Sequence, residues 1–104
     1  MKLFEGKKGL ILGVANDRSI AWAIAKEIME QGGICGFSHL PDKPDDDKKK
    51  NHLRVSKCVE QFPAQTAFLR PLDVQDDAQI KDFMQAAEKD LGQIDFLLHS
   101  IAFA

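Results

Sequence analysis

A chain of 104 residues, 44% hydrophobic and 29% charged, has room for one domain at most and the composition of a soluble globular one. A net charge of −2 argues against electrostatic nucleic-acid binding, which needs a basic face, and no run of roughly 18 apolar residues is present to span a membrane. Lys2, Glu5, Lys7 and Lys8 precede the first apolar stretch, so a signal peptide is not expected, and Cys35 and Cys58 read as reduced thiols in a cytoplasmic protein.

The first apolar run, Gly9 to Gly13, is nearly continuous, as parallel strands covered on both faces are. A helix is predicted from about Ser19 to Gln31, with Ile20, Ile24 and Ile28 recurring every fourth residue, Ala21 and Ala25 beside them, and Gly32-Gly33 as the stop. Ile34 to Phe37 forms a second strand. The stretch 41–54, from Pro41 to Arg54, then breaks the apolar pattern with alternating blocks of Asp and Lys and reads as a solvated, mobile insertion, with a role in shielding or touching a nucleotide's ribose end as the alternative. A second helix runs through Val55, Val59 and Phe62 and ends before Pro63. Thr66 to Leu69 is a third strand. Ile80, Phe83, Met84, Ala87 and Leu91 mark a third helix, capped by Asp76 or Asp77 and stopped by Gly92. Ile94 to Leu98 is the fourth strand.

Strands alternating with helices through short connections imply right-handed crossovers and an α/β, doubly wound parallel sheet of Rossmann type in the order 3-2-1-4. Four strands with no helix after the last leave that architecture incomplete, so residues 1–104 are expected to be the N-terminal part of a single dinucleotide-binding domain.

The loop Gly13-Val-Ala-Asn-Asp-Arg-Ser19-Ile20-Ala21 lies where such folds hold pyrophosphate. Open backbone N–H groups and the positive end of a helix attract anions there, Gly13 allows close approach, and Ser19 adds a hydroxyl. Only one glycine of the G-x-G-x-x-G pattern is present, and an ordinary strand–helix turn is the alternative reading. The second strand ends Ser38-His39-Leu40-Pro41, without the acidic residue that binds adenosine ribose hydroxyls in an NAD-specific fold. Asp73, just past the third strand, suits an adenine amino group, with the next N–H on a ring nitrogen; a turn or cap role fits its position equally. His99 at the end of strand four reads as packed rather than as a base. His39 and His52 read as a strand-end and a surface residue, and Trp22 as packing. No cysteine–histidine cluster supports a metal.

The segments Gly13 to Ala25, Leu72-Asp73-Val74 and His99-Ser-Ile-Ala-Phe-Ala104 together resemble the NADH-dependent enoyl-acyl-carrier-protein reductases of bacterial fatty-acid synthesis. These are divergent members of the short-chain dehydrogenase/reductase superfamily, and glycine, five residues, then Ser-Ile-Ala sets their loop apart from the superfamily's glycine-rich one. The likeness runs along the chain except for the charged stretch 41–54. It implies that Gly13, Ser19 and Ile20 surround the pyrophosphate, that Asp73 and Val74 hold the adenine, and that Ser100, Ile101 and Ala102 line the nicotinamide ribose. Ala104 would border the substrate's acyl pocket. Leu40 stands where relatives often place a polar ribose contact, which leaves NADPH open beside NADH.

The implied reaction is hydride transfer to C3 of a trans-2-enoyl thioester on acyl carrier protein, within a homotetramer. The resemblance places the enolate-stabilising tyrosine and its companion lysine after position 104; the chain contains no tyrosine, so no catalytic residue is expected in it and the 104 residues alone are not expected to be active. A short-chain reductase with another substrate, and a non-catalytic dinucleotide-binding fragment, are the alternatives.

Overall fold

The computed structural model describes residues 2–101. Four strands, β1 (Lys8–Leu12), β2 (Ile34–His39), β3 (Thr66–Pro71) and β4 (Phe96–His99), alternate with the helices α1 (Ile20–Glu30), α2 (Lys50–Val59) and α3 (Asp77–Leu91). All strand pairs are parallel and the order is β3-β2-β1-β4, as expected. Among the described residues no helix is long and apolar enough to cross a membrane.

Two cores lie on opposite faces of the sheet. On one face Ile11, Cys35 and Phe37 pack against Ala21, Trp22, Ala25, Ile28 and Met29 of α1 and Val55, Cys58 and Val59 of α2. Trp22 stands between Phe37 and Phe62 with ring centroids 6.2 Å from each, so its role is packing. On the other face Leu10, Leu12, Phe68 and Leu72 pack against Phe83, Ala87 and Leu91 of α3. The inner strands β1 and β2 are buried on both faces, as continuous apolar runs imply. The outer strands depart from that expectation: β3 buries only Phe68, β4 alternates half-buried with exposed residues, and Leu97 of β4 is 54% exposed.

Helix α1 also departs from expectation. Its sheet-facing side is Ala21, Trp22, Ala25, Ile28 and Met29, whereas Ile20 and Ile24 are exposed. A strict four-residue repeat drifts by about 40° per step around a helix of 3.6 residues per turn. Ile28 is buried, Ile24 is therefore at the margin, and Ile20 has rotated out of the core. The small Ala21 and Ala25 let the helix approach the sheet closely.

The stretch 41–54 is not wholly a loop, because α2 begins at Lys50 and Phe62 lies beyond its end. Two of the stretch's four carboxylates bind backbone. Asp42 accepts the N–H groups of Asn51 (2.7 Å) and His52 (3.3 Å), and Asp46 accepts those of Lys48 (3.1 Å) and Lys50 (3.2 Å). Asp76 caps α3 by accepting from Ala78 and Gln79, and Gly92 ends that helix. Asp95 precedes β4 and its carboxylate accepts the Lys8 N–H at 2.9 Å, joining the entrances of β4 and β1.

Each inner strand carries a glycine facing a phenylalanine of its outer neighbour. Gly9 is in register with Phe96, and Gly36 with Phe68 after a shift that leaves Ala67 unpaired. The rings occupy the space that a Cβ would need at either glycine. Gly36→Ala should therefore destabilise the protein by about 1–3 kcal/mol through overpacking. A lowered denaturation midpoint would register this, and the loss should shrink when Phe68→Leu is added; equal loss in both backgrounds would contradict the packing account.

Candidate functional site

The crevice of an open parallel sheet lies at the carboxyl ends of its strands, where connections leave in opposite directions. Here that point is the end of β1: the order β3-β2-β1-β4 places β2 on one side of it and β4 on the other. Gly13 comes next at φ 113°, in the region that favours glycine, and a Cβ there would strike the backbone of Ser100 and Ile101. The Ser100 N–H donates to Leu12 O at 2.9 Å. Gly13 therefore also lets the end of β4 close on the loop, beyond the phosphate approach that its position suggests.

Ser19 organises the loop. Its Oγ accepts the backbone N–H groups of Ala15 (2.9 Å) and Asn16 (3.2 Å), while Asn16 Oδ1 accepts from Arg18 N–H at 2.8 Å. Ser19 occupies the N-cap position of α1 without capping it, and the first turn holds no acidic residue. The first helical bond at this end runs from Ala23 N–H to Ser19 O at 3.1 Å, and the N–H groups of Ile20, Ala21 and Trp22 have no acceptor among the described residues. In α2 and α3 a carboxylate takes N–H groups at the same place. A serine hydroxyl has two acceptor sites and one donor. With both acceptor sites taken by the loop, the Ser19 hydroxyl hydrogen is free for an acceptor beside the open helix end. Ile20 is 74% exposed at that end.

Past β3, Asp73 is half-buried and serves a turn: its Oδ1 accepts the Gln75 N–H at 2.9 Å, and its own N–H donates to Gln79 Oε1 at 2.9 Å. Its Oδ2 and the N–H of the half-buried Val74 have no partner among the described residues, so the turn leaves open the two groups that an adenine edge would use. Ser100 is exposed and Ile101 half-buried at the end of β4. Ala102 and Ala104 lie outside the described residues. His99 is exposed rather than packed, since β4 is an outer strand.

At the end of β2 Leu40 is 65% exposed, and next to it stands a pair that the spacing along the chain presents as two unrelated residues. His39 is buried, its Nδ1 lies 2.9 Å from Leu40 O, and its Nε2 lies 3.3 Å from Nδ1 of His52 at the start of α2. Burial lowers the His39 pKa below 6.5 and the His52 ring adds to this, while the Leu40 carbonyl and the Asp42 carboxylate oppose it. Burial also pushes the Cys35 thiol up to about 12, and burial with the nearby Asp17 carboxylate raises Cys58. Among the described residues no group of three or more His, Cys, Asp or Glu could hold a metal.

The strand order and the parallel pairing define part of a doubly wound sheet of Rossmann type. The sequence profile of the family described as "Enoyl-(Acyl carrier protein) reductase" matches residues 13–104, and the chain belongs to that family. It is 38% identical over 100 residues to the NADH-dependent enoyl-[acyl-carrier-protein] reductase of Synechocystis sp., covering 96% of this chain and 36% of that one. It is 35% identical over 100 residues to the NADPH-dependent reductase of Staphylococcus aureus, with the same coverage. The crystal structure of the reductase from Anaplasma phagocytophilum in complex with NAD superposes with a TM-score of 0.81 at 35% identity, over 97% of this chain and 35% of that one. The chain thus spans about a third of the length of these relatives.

The site yields two expected outcomes. Ser19→Ala should speed amide exchange at Ala15 and Asn16 by about tenfold, whereas Ser19→Thr, which keeps the oxygen, should not. Because the folded pKa of His39 is lowered, the unfolded chain takes up a proton first as pH falls below 6.5, so stability present above that pH declines until the folded pKa is passed. His39→Gln should flatten that part of a stability-against-pH curve.

Proposed function

We propose that this chain is the cofactor-binding part of an enoyl-acyl-carrier-protein reductase, a cytoplasmic oxidoreductase that reduces the trans-2 double bond of enoyl thioesters during fatty-acid elongation. The observation that carries the reading is the loop Gly13–Ser19. Its serine gathers loop N–H groups, keeps its own O–H free, and leaves three N–H groups open at the start of α1. That arrangement is matched to an anion such as a pyrophosphate. The family match, which begins at Gly13, and the reductases among the relatives support the reaction.

In this reading the pyrophosphate of NADH is held by Gly13, the Ser19 hydroxyl and the Ile20 N–H. Asp73 Oδ2 accepts from the adenine amino group, and the Val74 N–H donates to a ring nitrogen. Ser100, Ile101 and Ala102 lie against the nicotinamide ribose, and Ala104 borders the acyl pocket. Leu40 packs on the adenosine ribose without selecting NADH over NADPH. The cofactor supplies the hydride when bound, and these residues orient it and exclude water. The donor to the enolate oxygen comes from elsewhere in the protein, since the 104 residues contain no tyrosine. The partner is acyl carrier protein carrying the substrate, and the assembly is a homotetramer, as the family resemblance implies.

The full-length protein should oxidise NADH only when an enoyl thioester is present. Absence of turnover with well-folded protein would sink the reading. Ser19→Ala should raise the dissociation constant for NADH about tenfold, equivalent to roughly 1.4 kcal/mol, measured by fluorescence titration.

A further inference from the structure

At the carboxyl end of β2 a cavity of about 370 Å³ is lined by His39, Pro41, Asp42, Lys49, His52 and Pro71. In a doubly wound fold this is where the adenosine ribose of a dinucleotide lies, and an acidic side chain there selects the unphosphorylated diol. Among the described residues the only carboxylate lining this cavity is Asp42, and both its oxygens already accept N–H groups of α2, from Asn51 and His52. Those bonds hold the start of α2 and fix the carboxylate in place, and the two histidines line the same cavity beside it.

The geometry dictates their tautomers. His39 Nδ1 lies 2.9 Å from a carbonyl oxygen, Leu40 O, which can only accept, so Nδ1 carries a hydrogen. In the neutral ring Nε2 is then an acceptor, and the His52 Nδ1 facing it at 3.3 Å must donate. The neutral pair therefore leaves His52 Nε2 as a lone pair, with no partner among the described residues. Only one hydrogen fits between the two rings. When the pair gains a proton, the new hydrogen appears on His52 Nε2, whichever ring carries the charge. Burial disfavours the charge on His39. The charged groups facing the pair are the Asp42 carboxylate, which favours the cation, and the Lys49 ammonium, which opposes it.

We propose that His39 and His52 read the 2′ position of the cofactor's adenosine: the neutral pair accepts from a ribose hydroxyl, the protonated pair donates to a 2′-phosphate, and the choice between NADH and NADPH shifts with pH. Lys49 supplies a second cation for the phosphate. His39 is a positioning residue that fixes which nitrogen of His52 faces outward. The inference rests on the proposed dinucleotide binding and not on the reduction itself.

Calorimetry of the full-length protein with 2′,5′-ADP and with AMP tests this without turnover. Between pH 8 and pH 6 the preference for 2′,5′-ADP should rise by about fivefold or more, because histidine gains its charge in that range. His52→Gln, which keeps an amide donor toward His39 but cannot be charged, should abolish the rise. The 2′-phosphate itself loses charge toward pH 6, which acts in the opposite direction and remains in the variant. The ratio of kcat/KM for NADPH over NADH should track the binding ratio.

A wild-type binding ratio that stays flat overturns the proposal, and so does a rise that survives in a His52→Gln variant of unchanged melting temperature. If that variant does not fold, the wild-type ratio alone decides. Shifted nucleotide binding without enoyl reduction would sustain this inference and defeat the proposed reaction. Reduction with a flat ratio would do the reverse.

Discussion

The close approach of two backbones at the end of β1 is the constraint on which the rest of the crevice depends. Gly13 turns at positive φ with no room for a side chain, because Ser100 and Ile101 occupy the space a Cβ would need. With the Ser100 N–H bonded to Leu12 O, the end of β4 is drawn against the loop that opens α1. Both sides of the crevice thereby come within reach of one ligand. A larger residue at position 13 would separate them before any phosphate contact was considered.

Around that constraint the helix starts divide their labour. Asp42 and Asp76 satisfy the first N–H groups of α2 and α3, which makes those ends structural. Ser19 stands at the equivalent place in α1 but turns its oxygen back to the loop, and the helix end stays open. An unpaired N–H is costly when it is removed from water without a partner. The open end at the start of α1 therefore sets it apart from the two closed ones, and it lies beside the end of β1.

Much of this architecture is legible in the sequence because its signals are local. Continuous apolar runs mark the strands, and their alternation with helical spacing marks a parallel, doubly wound sheet. The Asp76-Asp77 pair and Gly92 mark the ends of α3 by residue type, and the structure assigns the cap to Asp76. The misreadings come where a local signal meets a non-local partner. The four-residue spacing of Ile20, Ile24 and Ile28 looks like one face, yet the turn angle of a helix carries its first member into solvent. The carboxylates at 42 and 46 look like part of a solvated charge run, but they bind backbone groups several residues further on. His39 and His52 are 13 positions apart on a strand and a helix, and only the packing of α2 over β2 brings their rings to 5.0 Å between centroids. Nothing in the spacing of two histidines encodes that meeting.

The two glycine–phenylalanine pairs carry a consequence for assembly. Phe96 lies over Gly9 on one face of the sheet and Phe68 over Gly36 on the other. A strand that slips by one residue moves its side chains to the opposite face. A slip by two in the direction of the chain would drive Phe96 against Ile11 and Phe68 against Ser38, where no vacant volume receives a ring. Each outer strand is thus stopped from slipping forward along its inner neighbour, and the two stops work independently because they lie on opposite faces. The alignment of the crevice-forming ends is fixed mechanically from within the sheet, at a distance from the loops that would do the binding.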